Sequence, residues 1–313
     1  MTDSRSSAAG AGPGNRHLVH IGYPKTGSKY LQHWFSAHPE IGFSPWGIAG
    51  FRDAHELMTE AGRGAPGPAW HVTSHEALTM PFAEYRDLGT GGDRPLLPTG
   101  REQRAACNFL ASLFGGATIL LVTRGFEALI DSLYAEFVLG GASYGFERFR
   151  EAIADLAAAN DDPFHFDRLI EDYEAAFGAD RLIVLPYELL RDRPRDFLGE
   201  IERRLGIGRL DGAAGRIRPT PEPDRIALYR RLTARMRSVP LPGRIKGPLL
   251  RQWVKAMRAG RLGPLARLAG PARLGESPSG QGLSPDLIRA LSGRCERLRS
   301  NPLYAGFEEQ YLL

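Results

Sequence analysis

Four short apolar runs constrain this chain more than any other feature: residues 18–22 (LVHIG), 70–74 (WHVTS), 117–123 (ATILLVT) and 181–186 (RLIVLP). Each is too continuously apolar for a strand with one wet face, so each reads as a strand buried on both sides. Amphipathic stretches of helical length lie between and after them, at about 28–37, 126–139, 146–159, 164–177 and 192–205. Thr99-Gly-Arg-Glu102 has the form of a capping box and opens another, which Gly115-Gly116 stops. Strands that alternate with helices in this way predict an α/β fold, a central parallel sheet flanked by helices on both faces in three layers.

The 313 residues suffice for one large α/β domain. No apolar run approaches the roughly 20 residues needed to span a bilayer. Residues 1–17 are small and polar and lack an apolar signal core, so they read as a disordered tail on a cytoplasmic protein, with residues 18–313 as the folded domain. The two cysteines, Cys107 and Cys295, fall in different predicted helices and have no ligand-spaced neighbours, which predicts buried thiols and no zinc site or disulfide.

A net charge of +4 suits a protein that handles anions. Only four lysines stand among the 40 basic residues, and two of them, Lys25 and Lys29, lie in one five-residue stretch. Between Arg216 and Glu276 there are 15 cations against three anions, with Pro and Gly interrupting throughout. This basic segment reads as a helical or irregular appendage. It is open to four readings: a solvated helical face, a contact to a bound phosphate with Arg244 and Lys246 as candidates, a grip on an anionic glycan, or a peripheral contact on an anionic membrane surface such as the inner face. It carries few aromatics, Tyr229 and Trp253, which argues against nucleic acid as the partner. A final helix is expected from Ser284-Pro285 to about Arg299.

The chemistry concentrates in His20–Gln32, HIGYPKTGSKYLQ. A strand that ends in a Gly-containing loop and leads into a helix gathers backbone N–H groups around one point, at the positive end of the helix dipole. Gly27 permits close approach of an anion, Thr26 and Ser28 bring hydroxyls, and Lys25 brings a compact charge. Gly22 and Gly27 have the spacing of a Walker A loop, but Ser28-Lys29 follows where Lys-Ser/Thr would be needed. The third strand also runs into Arg124 rather than into an acid that could hold magnesium.

At these residues the sequence resembles the PAPS-dependent sulfotransferases, bacterial members included, whose fold is a three-layer sandwich like that of the P-loop NTPases. PKTGSKYLQ is similar to the loop that holds the 5′-phosphosulfate in that family. The resemblance implies PAPS as donor, PAP as product and no metal, with Lys25, Thr26, Gly27 and Ser28 around the phosphosulfate and Tyr30 near the adenine. Lys29 replaces the family's second hydroxyl, and either adds a cation or points away. Arg124 and Ser132, eight residues apart in LLVTRGFEALIDSLYAEF, match the family's pair for the 3′-phosphate, although Gly125-Phe126 departs from its usual Asp/Asn-Pro. Residues 184–207 resemble a third family segment and imply Tyr187 near the adenine.

On the acceptor side, Ser74-His75-Glu76 ends the second strand, and the carboxyl edge of such sheets is where ligands bind. By analogy with the family Glu76 is the favoured base, with His75 the runner-up. Lys25, helped by Ser28, would steady the departing phosphate oxygen. The expected acceptor is a hydroxyl or amine of a carbohydrate, glycolipid or small molecule. A P-loop kinase or NTPase, and a non-catalytic nucleotide-binding or membrane-surface protein, remain as alternatives, and the oligomeric state is open.

Overall fold

A computed structural model describes residues 16–47, 50–53, 55–56, 58–59, 68–75, 78–81, 95–212, 223–261 and 283–313. Five strands form one sheet: β1 (Arg16–His20), β2 (Ile41–Phe43), β3 (Trp70–Ser74), β4 (Thr118–Thr123) and β5 (Leu182–Pro186). The order is β2-β3-β1-β4-β5 and every pairing is parallel. The α/β class and the parallel sheet are therefore as the sequence predicts.

The strands are apolar because the sheet is covered on both faces. Leu18, Val19 and Ile21 of the first strand and its extension are fully buried, as are Ile119 to Val122 of β4. Burying each such side chain contributes about 1.5–3 kcal/mol. One polar pair that the strands carry inward joins across the sheet, where His20 Nδ1 meets Ser74 Oγ at 2.7 Å.

Ten α-helices follow among the described residues: α1 (Ser28–Ala37), α2 (Gly100–Phe114), α3 (Phe126–Leu139), α4 (Phe146–Ala158), α5 (Phe166–Phe177), α6 (Tyr187–Asp192), α7 (Pro194–Leu205), α8 (Pro223–Ser238), α9 (Gly243–Arg258) and α10 (Pro285–Leu291). The Thr99 capping box forms, with Thr99 Oγ1 accepting from the Glu102 amide and Glu102 Oε2 from the Thr99 amide. Between α3 and α5 the core includes Phe126 stacked on Phe166, centroids 5.1 Å apart.

Several boundaries differ from expectation. A fifth strand, β2, is present; at three residues it is too short to show periodicity, and its pairing with β3 makes it. The helix expected from Asp192 begins at Pro194 as α7, because Pro194 has no amide to continue a preceding helix and suits a first turn, and a separate short helix, α6, ends just before it at Asp192. The final helix stops at Leu291, not near Arg299. Gly293 follows in a left-handed conformation (φ 73°), and the chain resumes as a 3₁₀ turn at Glu296–Ser300. Cys295 therefore lies outside any α-helix, at the start of that turn; both cysteines are buried and free. Strand β1 begins at Arg16, inside the stretch expected to be tail, while residues 1–15 lie outside the described residues. So do most of residues 60–69 and, in the basic segment, residues 213–222 and 262–282. Within 223–261 the basic segment is the helical pair α8–α9.

Candidate functional site

The central strand β1 is flanked by β3 on one side and β4 on the other, so the loops leaving these three strands share one carboxyl edge. In an open α/β sheet this edge, where the connections diverge, is the usual ligand crevice. Strand β1 continues alongside β4 beyond His20: the amides of Ile21 and Tyr23 donate to the carbonyls of Leu120 and Val122. The turn at Pro24–Gly27 then delivers the chain into α1.

That turn is wound tightly. Lys25 (φ 66°) and Gly27 (φ 82°) are both left-handed and flank Thr26. Gly27 is needed for space as well as conformation, since a Cβ there would come within 2.5 Å of Leu190 Cδ2. Thr26 is fully buried and its Oγ1 donates to the Tyr23 carbonyl at 2.5 Å, so its hydroxyl proton holds the turn together. The amides of Lys25, Thr26, Gly27 and Ser28 have no acceptor among the described residues. The Ser28 hydroxyl is buried, 3% exposed, with no partner. Lys29 is exposed on α1, and Tyr30 is buried in the core, with burial pushing its phenol up and Arg195 opposing.

Arg124 leaves the end of β4 and comes back to the loop. Its Nη1 donates to the Lys25 carbonyl at 2.8 Å, its guanidinium lies 4.8 Å from the Tyr187 ring centroid, and its buried Nε has no partner. Burial lowers its pKa, and the electrons of Tyr187 and the Glu188 carboxylate act the other way. Arginine nonetheless stays charged at any physiological pH. Lys25, Gly27, Arg124 and Tyr187 thus converge, since Tyr187 also lies 3.5 Å from where a Gly27 Cβ would stand.

The position of Arg124 is held by its neighbours. The Gly125 amide donates to Glu188 Oε1, and Tyr311 Oη donates to Glu188 Oε2 at 2.8 Å. Thr123 Oγ1 lies 2.7 Å from Tyr304 Oη and 3.1 Å from Tyr311 Oη. Since the Tyr311 proton goes to Glu188, Thr123 donates to Tyr311 and Tyr304 donates to Thr123. This chain of buried donors fastens the C-terminal residues to the end of β4.

Ser132 is buried on α3, and one turn further along the same helix face Glu136 forms an ion pair with Lys25, Nζ to Oε1 at 2.6 Å. Glu136 escaped the sequence reading. The available signal was its i+4 spacing from Ser132; the contact with Lys25 comes from packing. Asp131 is a second group of this kind: burial, reinforced by Glu127 one turn away, pushes its carboxyl up to about 7 against the pull of Arg124 and Arg150.

His75 ends β3 at the same edge. Its amide donates to the His20 carbonyl, and its exposed ring meets Trp46 edge-on at 5.8 Å. Glu76 lies outside the described residues. His20 and His165 have structural partners, Ser74 for the first and the Arg168 amide for the second. A cleft of 490 Å³ beside β5, lined by Leu182, Arg204, Arg297 and Asn301 among others, shares no residue with this edge. Among the described residues no helix is long and apolar enough to cross a membrane.

No protein-family model and no curated protein matches this sequence. Among solved structures, a sulfotransferase from Alicyclobacillus acidocaldarius is 16% identical over 81% of this chain and 95% of its own, with a TM-score of 0.40. Mouse sulfotransferase SULT7A1 complexed with PAP is 13% identical over 70% of this chain and 64% of its own, with a TM-score of 0.38. Both likenesses are distant, and the chemistry of the site rests on the chain's own residues.

Proposed function

We propose that this chain is a PAPS-dependent sulfotransferase that moves a sulfuryl group to a hydroxyl or amine, with a carbohydrate or glycolipid as the acceptor class. One observation carries the reading. A lysine, a buried hydroxyl without a partner, four unclaimed amides and an arginine from the neighbouring strand meet at one strand–loop–helix turn. Orphaned buried polar groups are costly, and together these fit an anion with several oxygens. The arginine at the end of β4, where a magnesium-dependent phosphoryl transferase would carry an acid, favours a phosphosulfate over a triphosphate.

On this reading Lys25, the amides of residues 25–28 and Ser28 hold the 5′-phosphosulfate, Arg124 and Ser132 hold the 3′-phosphate, and Tyr187 and Tyr30 serve the adenine side. The donor supplies a sulfuryl group already activated by its phosphoanhydride-like link, whose S–O bond to phosphate breaks as the acceptor binds sulfur. Lys25 and Ser28 then stabilise charge that develops on the departing phosphate oxygen. Lys25 must leave Glu136 to do so. A base at the end of β3, Glu76 first and His75 second, takes the acceptor proton.

The test is transfer of labelled sulfate from PAPS into a lysate of the source organism, beside calorimetry with PAP. Wild type should yield labelled product and bind PAP. Lys25→Ala should yield none, and should bind PAP at least about tenfold more weakly, as loss of a charge-assisted contact implies. A folded wild-type protein without affinity for PAP would overturn the proposal.

A further inference from the structure

The pair α8–α9 has a surface that the site does not use. Between Arg225 and Arg261 the sequence has 11 cations and no acidic residue. The C-terminal half of α9 is docked: Val254 and Met257 are buried, Trp253 Nε1 donates to Thr233 Oγ1 of α8, and Arg237 of α8 donates to the Gly141 carbonyl just beyond α3. The N-terminal half is exposed along most of its length.

On that half and its entry three large apolar residues are exposed. Leu241, Ile245 and Leu249 recur every four residues, which aligns them along one side of the helix and its entry. Ile245 is 51% exposed and Leu249 is 48% exposed, and Val239, also exposed, continues the patch into the α8–α9 connection. The helix therefore has two apolar faces, one packed on α8 and α3 and one open. Arg244, Arg251 and Lys255 lie along one border of the open row at helical spacing, and none of them has an ion-pair partner among the described residues. A soluble surface gains nothing from apolar side chains at this spacing beside unpaired cations, whereas a helix lying in a bilayer interface needs both.

We propose that the open face of α9, with the tip at Val239–Pro242, docks the protein onto an anionic lipid surface. The row Leu241, Ile245 and Leu249 would enter between headgroups while Arg244, Arg251 and Lys255 meet lipid phosphates. The complementarity of charge favours lipid over an apolar protein groove: with no carboxylate anywhere in 225–261, the face meets anionic headgroups without repulsion. The inference is independent of the donor site.

Flotation with vesicles tests it on the full chain. Wild type should bind vesicles of phosphatidylcholine mixed with phosphatidylglycerol, much more weakly those of phosphatidylcholine alone, and less at high salt. Ile245→Glu with Leu249→Glu should cut partitioning at least about tenfold, and so should Arg244→Glu with Arg251→Glu and Lys255→Glu. All the altered side chains are exposed, so the melting temperature should stay at the wild-type value. Should a variant misfold, Leu249→Cys bearing an environment-sensitive dye gives a second readout, because the two native cysteines are buried. Its emission should shift to the blue on anionic vesicles only. Equal binding to neutral vesicles, wild-type binding by either folded multiple variant, or an unshifted dye would overturn the proposal. So would a wild-type dimer that ignores vesicles and becomes monomeric with Ile245→Glu and Leu249→Glu, since the face would then join two copies of the chain.

Discussion

Lys25 adopts a left-handed backbone and reaches across to Glu136, so the loop's one lysine side chain is already engaged by a carboxylate. Both partners are partly exposed, and such a pair contributes at most about 1 kcal/mol. Glu136→Gln should therefore free Lys25 and tighten PAP about fivefold by calorimetry; unchanged or weaker affinity would show that Glu136 does not compete for the lysine. Asp131 lies one residue before Ser132, and its raised pKa of about 7 has a definite sign for stability. In the unfolded chain this carboxyl ionises near 4, so between about pH 4 and 7 the folded state holds a proton that the unfolded state has lost. Its ionisation penalty is absent at low pH and grows as pH rises through that window. Asp131→Asn should raise stability at pH 8 by on the order of 1 kcal/mol, discounted for partial exposure, and by nothing near pH 4. Urea unfolding at the two pH values would show it, and a gain equal at both would assign the effect to packing. Neighbours along the sequence do not show what either acid meets: Glu136 has helical spacing from Ser132, but only packing brings it to Lys25. The placement of Lys25, Gly27 and Ser28 follows from a local strand–loop–helix order.

At the level of elements, β1 carries the site and also a pH liability. Burial pulls His20 down to about 3, and burial together with His71 pulls His17 down to about 4. Both pKa values lie below the unfolded value near 6.5, so the folded strand keeps these rings neutral. Their contribution is complete above about pH 6.5 and is lost as pH falls toward the folded values. Unfolding free energy should drop between pH 7 and 5.5, approaching about 1.4 kcal/mol per pH unit for each ring at the lower end. Asp131 opposes this slope, so Asp131→Asn should make it steeper; a flat profile in that variant would contradict the neutral burial of the two rings. The strands themselves were legible because a doubly covered strand must be apolar. Strand β2 was not, because three residues of Ile-Gly-Phe carry no period, and only the edge of β3 makes them a strand.

Across the whole molecule, the last ten residues reach the candidate site. Tyr304 and Tyr311 join Thr123 to Glu188, and Glu188 holds the Gly125 amide beside Arg124. Tyr311→Phe should leave the buried Glu188 and Thr123 each short of a partner and cost about 1–3 kcal/mol. A lower melting temperature together with weaker PAP binding would show that the C-terminal residues position Arg124. A melting temperature equal to wild type would mean that the network relaxes without cost.

What the sequence determined alone was four of the five strands, most of the helices that follow them and the strand–loop–helix turn of the candidate site. All depend on neighbours along the chain: apolar continuity in the strands, and Gly, hydroxyl and lysine between a strand and a helix. The tertiary structure decided what meets that turn. Strand order placed Arg124 beside it and His75 at the same sheet edge, helix packing brought Glu136 to Lys25, and Tyr304 and Tyr311 closed on Thr123. Those contacts join residues about 100 or more positions apart in several cases, such as Arg124 with Lys25 and Tyr311 with Glu188. Local pattern holds no record of such pairs, because burial and electrostatics act on distance in space.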